Sequence, residues 1–196
     1  MDSKCNSADL IAVLFSITIF VTLSTFAANA SAQEIFVTGH PGGGTDNTIG
    51  VYTISGAPIN DSLVSLQNPY SIAISGTNLF FADNATSEIE LYTTGGTLVN
   101  PSFAPGPVTS VAGPNAIAVS GGNLFIANRN IGTISEYTTS GTLVNASLIS
   151  GLNGPAGIAV SGGELFVIED TSGTVGAYDA TSAERVNDFE TLAARI

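Results

Sequence analysis

The sequence is poor in the residue types that most catalysis and most electrostatic recognition require. Its 196 residues include one cysteine, one histidine and four cationic side chains, and charged residues make up only 10% of the chain. Neutralising a nucleic-acid backbone takes clustered Lys and Arg, so nucleic acid is excluded as a partner. An anionic membrane surface is disfavoured for the same reason. The few cations face 16 acidic side chains, for a formal net charge of −12. The chain is nevertheless not a disordered acidic tail, since 44% of its residues are hydrophobic and such tails are poor in apolar residues. What it has in quantity is turn chemistry. The 22 Gly and 8 Pro, with the apolar content, suit a compact, turn-rich β protein.

Lys4 precedes an apolar run from Leu10 to Ala28, followed by Ala30-Ser31-Ala32. A basic start, an apolar stretch and a small-x-small site describe a secretory signal peptide over residues 1–32, with cleavage before Gln33. The run is nearly long enough to span a bilayer, so the alternative is an uncleaved anchor. Ser16, Thr18, Thr22, Ser24 and Thr25 lower its hydrophobicity and favour cleavage. Cys5, the only cysteine, lies ahead of the run and would leave with it. The remaining 164 residues would carry no thiol and no lysine, with Arg129, Arg185 and Arg195 against 14 acids. The expected product is an acidic protein, secreted or periplasmic, with no membrane partner after cleavage.

Three stretches align on inspection: Ile72-Ala73-Ile74-Ser75, Ile117-Ala118-Val119-Ser120 and Ile158-Ala159-Val160-Ser161. Each leads through a two-residue turn (Gly76-Thr77, Gly121-Gly122, Gly162-Gly163) into Leu79-Phe80-Phe81-Ala82, Leu124-Phe125-Ile126-Ala127 or Leu165-Phe166-Val167-Ile168. A glycine at the first turn position supplies the positive φ of a primed hairpin, so these are β-hairpins. A third strand follows and ends in Tyr92, Tyr137 or Tyr178, and a fourth carries Asn100, Asn145 or Asn187. An earlier partial unit fits from its second strand onward, through Ile35-Phe36-Val37-Thr38, Tyr52 and Asn60. The tyrosines at 52, 92, 137 and 178 are spaced by 40, 45 and 41 residues.

Four short strands recurring every ~40–45 residues are the signature of β-propeller blades. One such blade is apolar on both faces, so neighbours must stack on it. The units run over about 34–67, 68–112, 113–153 and 154–196, within a repeat domain of residues 33–196. The fold class expected is all-β: about four four-stranded blades, three complete and one partial, in an open or truncated ring. Fifteen strands follow the cleavage site, and the innermost strand of the first blade is missing from that count. Apolar faces exposed at both ends of such an arc would drive homo-oligomerisation.

Gly154-Pro155-Ala156-Gly157-Ile158-Ala159-Val160, then Gly163-Glu164-Leu165-Phe166-Val167 and Val175-Gly176-Ala177-Tyr178, resembles an NHL-type repeat. The resemblance covers about residues 34–189 and implies a propeller. Two features depart from the pattern. Glu88, Thr133 and Thr174 stand where an arginine usually opens the third strand, and Ser75, Ser120 and Ser161 replace the usual acidic residue after the first.

A catalytic set is hard to assemble from these residues. His40 lies in Gly39-His40-Pro41-Gly42-Gly43-Gly44 without an evident partner, and reads as a solvated loop residue. That glycine run lacks the Lys and Ser/Thr of a phosphate loop, and no Gly-x-Ser-x-Gly elbow occurs. The second strands end in Asp83-Asn84, Asn128-Arg129 and Glu169-Asp170. In a propeller these equivalent ends share one rim, so they are the candidate binding residues. Oxygen donors there would suit Ca²⁺ or Mg²⁺, whereas Asx residues equally cap turns. Pro114-Asn115-Ala116 is also similar to the Pro-Asn-Gly motif of gluconolactonase-like propellers, in which the Asn is a metal ligand; Tyr70 and Ala156 stand at that place in the other units. Three functions follow as expectations. The first is a non-catalytic module presenting its rim to a protein or glycan, without a cofactor. The second is a divalent-metal lactonase-like hydrolase using Asn115. The third is a truncated propeller without independent activity.

Overall fold

The computed structural model describes residues 19–23, 34–39, 47–66, 69–104 and 112–189. Among them every regular element is a β-strand, and the sixteen strands form four four-stranded antiparallel sheets. Sheet 1 comprises β1 (Ile19–Leu23), β2 (Glu34–Gly39), β3 (Thr48–Thr53) and β4 (Pro58–Ser65). Sheet 2 comprises β5 (Pro69–Ser75), β6 (Asn78–Asp83), β7 (Glu88–Thr93) and β8 (Leu98–Asn100). Sheet 3 comprises β9 (Pro114–Ser120), β10 (Asn123–Asn128), β11 (Thr133–Thr138) and β12 (Leu143–Ile149). Sheet 4 comprises β13 (Pro155–Ser161), β14 (Glu164–Glu169), β15 (Thr174–Asp179) and β16 (Arg185–Phe189). In every sheet the spatial order follows the chain order, so each is an up-and-down meander. These are the blades that the repeat period predicts.

The glycine pairs set the hairpins. Ser120 pairs with Asn123 and Ser161 with Glu164, which leaves two-residue turns. Gly121, Gly122, Gly162 and Gly163 all have positive φ, as a type I′ turn needs. Gly76 alone is positive in the first hairpin, the pattern of a type II′ turn. The tyrosines fall into register as expected. Tyr52, Tyr92, Tyr137 and Tyr178 each occupy the fifth position of a six-residue third strand, opposite Ile35, Leu79, Leu124 and Leu165.

The fifteen strands expected after residue 33 are β2–β16. The innermost position of sheet 1 is also filled, by β1 from the apolar run, with Val21 opposite Val37 and Leu23 opposite Ile35. Sequence reading missed this strand because the run carries no Ile-Ala-Val-Ser signature. Lys4, Cys5 and the Ala30-Ser31-Ala32 site lie outside the described residues.

Strand alternation gives each sheet two apolar faces, and both find cover in the interior of the array. The forward face carries Phe36, Phe80 or Phe125 on its second strand, and the rear face carries Leu79, Leu124 or Leu165 one residue earlier. Phe36, Ile49 and Val51 of sheet 1 pack on Leu79 and Phe81 of sheet 2. Phe80, Ala82 and Ile89 pack on Leu124 and Ile126 of sheet 3. Phe125, Ala127 and Ile134 pack on Leu165 and Val167 of sheet 4. Burying one such side chain contributes about 1.5–3 kcal/mol, so each junction holds several times that before ordering costs. Inner strands pack in succession, β1 on β5, β5 on β9 and β9 on β13. Ala73 and Ala118 sit opposite the buried Phe80 and Phe125, and their small side chains allow this approach. No comparable packing among the described residues returns β13 to β1, so the array is an open arc.

Gly132 shows how tightly a junction constrains the chain. It ends the turn between β10 and β11 with φ +65°, and its carbonyl accepts from Leu152 N at 3.0 Å. A Cβ there would lie 2.3 Å from the Leu152 carbonyl oxygen, whereas at Gly173, the equivalent residue with the same φ, it would meet open space. Gly173→Ala is therefore expected to cost about 1–2 kcal/mol, the left-handed penalty alone. Gly132→Ala should cost roughly twice as much or more, because backbone must also move. Equilibrium urea unfolding of both variants checks the difference.

Candidate functional site

The rim expected to hold the site is built from the turns that leave β6, β10 and β14 and from the starts of β9 and β13. β5, β9 and β13 each begin with proline and then shift register, Pro69 to Ser71, Ala116 to Pro114 and Pro155 to Gly157. The bulged residues are therefore Tyr70, Asn115 and Ala156. A bulge leaves one residue outside the ladder and re-aims its side chain.

Asp83, Asn128 and Glu169, the last residues of their strands, are all buried. Their side chains hold loops. Asp83 Oδ1 accepts from the backbone N–H of Ala85 at 2.8 Å and of Thr86 at 3.3 Å. Asn128 Oδ1 accepts from Ala112 N at 3.2 Å, fixing the chain that enters sheet 3, while Nδ2 donates to Ser135 Oγ at 3.1 Å and to Thr133 Oγ1 at 3.3 Å. Glu169 Oε2 accepts from Asn153 N at 2.7 Å, on the chain that enters sheet 4, and Oε1 lies 3.9 Å from the Arg185 guanidinium. These are the turn-capping roles, and a buried acceptor satisfied in this way is costly to withdraw. Asp83 Oδ2 is buried without a hydrogen-bond donor among the described residues.

The residues one step further reach across blades. Asn84 Nδ2 donates to Pro114 O at 3.5 Å. Arg129 and Asp170 form an ion pair between sheets 3 and 4, with about half of the Arg129 side chain exposed. Its partner Asp170 is more than a third exposed, so the pair is worth little to stability. Asn115 Nδ2 donates to Ala156 O at 2.9 Å, one bulge to the next. The six candidate rim residues are thus on one rim, but only Arg129 and Asp170 are brought together by their side chains. Among the described residues no group of three or more His, Cys, Asp or Glu side chains could hold a metal ion. His40 lies outside those residues.

Two polar features escaped sequence reading. Ser71, buried on the inner strand, accepts at Oγ from Ile117 N at 3.1 Å and ties β5 to β9; its one signal is a hydroxyl where the other units have Ala116 and Gly157. Tyr92 Oη donates to Glu90 Oε2 at 2.9 Å. Desolvation, with that bond and the charges of Glu90 and Asp83, pushes the tyrosine up to about 12. Glu90 is itself raised, first by burial, then by Asp83 and Glu88, against the lowering effect of the Tyr92 bond. The signal was Glu90 standing where Gly50 and Gly176 let their tyrosines fold over the strand, each ring lying within 3.0 Å of where a Cβ would be.

No family model matches the sequence, and no curated protein matches it. Solved structures do. Virginiamycin B lyase from Staphylococcus aureus superposes with a TM-score of 0.62 at 20% identity, covering 87% of this chain and 55% of that one. Hydrazine synthase from Kuenenia stuttgartiensis gives 0.61 at 16% identity over 79% of this chain and 45% of that one. A gluconolactonase from Xanthomonas campestris gives 0.57 at 17% identity over 70% and 51%. The likeness is one of fold, that of the β-propeller. The chain spans about half the length of these propellers.

Glu136 supplies a direct check of the rim-to-edge electrostatics. It is buried on β11, accepts at Oε1 from Asn123 Nδ2 at 2.8 Å, and its pKa is raised above 4.5 by desolvation. A raised folded pKa means that the group's favourable contribution is present below its unfolded pKa and is lost as the pH climbs through the folded value. Glu136→Gln keeps the acceptor and removes the charge. It should raise the melting temperature at pH 7, and the gain should vanish at pH 4. An equal effect at both pH values would place the cause elsewhere.

Proposed function

We propose that this chain is an exported, NHL-like propeller array that serves as a non-catalytic binding module, its rim meeting a protein or glycan ligand. One observation supports this most: three buried side chains of the rim, Asp83, Asn128 and Glu169, each commit an oxygen to backbone N–H groups. Asn128 Oδ1 and Glu169 Oε2 take N–H groups of the incoming chain, and Asp83 Oδ1 those of its own turn. What the rim offers outward is the Arg129–Asp170 pair and the turn residues beside it, a hydrogen-bonding surface whose cation is already neutralised. Such a surface suits polar, uncharged or mixed-charge ligands better than polyanions. Export rests on the leader pattern of residues 1–32, and cleavage before Gln33 would take β1 away and leave β2 as the inner edge of sheet 1.

A divalent-cation titration separates this reading from the lactonase-like one. A ligand bound by the native state at a hundred times its dissociation constant adds about 2.7 kcal/mol, several degrees in the midpoint of a domain this size. With millimolar Ca²⁺ or Mg²⁺ against EDTA, the midpoint should not move and simple lactones should not be hydrolysed. A cation-dependent rise together with turnover that is lost in Asn115→Ala would overturn the non-catalytic reading.

A further inference from the structure

The two ends of the arc carry the two halves of a blade junction. Among the described residues no sheet follows sheet 4, yet its forward face repeats the pattern of the three covered ones: Ala159, Phe166, Ile168 and Val175 stand where sheet 3 has Ala118, Phe125, Ala127 and Ile134. Those sheet 3 residues are buried, whereas Ala159, Phe166, Ile168 and Val175 are only partly covered. Among the described residues no sheet precedes sheet 1, and its rear face presents Ile35, Val37 and Tyr52 where Leu124, Ile126 and Tyr137 are buried in sheet 3. Ile35, Val37 and Tyr52 are likewise partly covered. A forward face is what covers a rear face at all three internal junctions.

From this complementarity we infer that the occupant of both ends is a second copy of this chain, joined head to tail. The forward face of sheet 4 in one copy covers the rear face of sheet 1 in the other. Two copies make two such junctions at once and close a ring of eight blades. The contact is heterologous, and it stops at two copies only because the rotation closes. The four blades match about half the length of longer propellers, so two copies together supply blades enough for one ring. Ile35, Val37 and Tyr52 lie downstream of Gln33, so these three residues stay in the chain whether or not the leader is cleaved. Association must work against the net charge of −12 on each copy, so salt should tighten it.

Sedimentation equilibrium on the purified chain tests this, with two single variants, Val37→Glu and Ile168→Glu. The wild type should have twice the chain mass, with a dissociation constant that falls as salt is raised. Each variant should weaken pairing by about a hundredfold or more, since an unpaired charge would be buried at a packed junction. Both sites lie at the ends of the arc, and unchanged far-ultraviolet circular dichroism shows that the blades persist. An equimolar mixture of the two variants should pair better than either alone, because one of its two junctions is unaltered. A wild-type monomer at all concentrations, as when further blades cover the ends within one chain, would overturn the inference. So would a dimer sensitive to only one of the substitutions, which means like faces meet. Growth into fibres would show that the rotation does not close.

Discussion

A four-stranded blade with apolar side chains on both faces cannot stand alone, and everything else in this protein follows from that. Each blade must be covered twice. The alternation of Phe80 with Leu79 and of Phe125 with Leu124 puts one large side chain toward each neighbour. The inner strands must then approach closely, and alanine at 73 and 118 permits it. The short link from sheet 3 to sheet 4 lies close against the rim, which accounts for Gly132 against the Leu152 carbonyl. Net stability is a small remainder of such terms after chain entropy is set against them.

Junctions also decide what becomes of the polar residues. A turn at the blade rim buries backbone N–H groups that need acceptors. Asp83, Asn128 and Glu169 supply those acceptors at equivalent positions with three different side chains. The interchange of Asp, Asn and Glu at one structural position fits a demand for a carbonyl or carboxylate oxygen. It fits less well a metal site, which fixes ligand type and number together. The exposed remainder of the rim lies around Arg129 and Asp170.

How far all this was legible depends on whether a feature repeats. The hairpins, the tyrosine register and the four-blade open arc were readable because the same residues recur at fixed spacing. The rim residues were readable as a set by position, but their roles were not: whether Asn128 faces a ligand or an incoming backbone N–H depends on the path of residues 112–113, which no local pattern encodes. The bulges at Tyr70, Asn115 and Ala156 were hidden because a one-residue shift in pairing leaves no compositional trace. β1 was hidden for a related reason. Its pairing with β2 depends on an unclaimed backbone edge, and edges accept many sequences.

Cover by neighbouring blades is what holds each blade together. Amide hydrogen exchange measures this strand by strand, since local opening reports the free energy that protects each segment. The slowest exchange should lie in β9, β10 and β11 of sheet 3, which is covered on both faces, with protection falling in β14 and β15 and in β2 and β3 under conditions where the chain is monomeric. Protection as high in sheets 1 and 4 as in sheet 3, in the monomer, would mean that blades are stable without their neighbours and would contradict it.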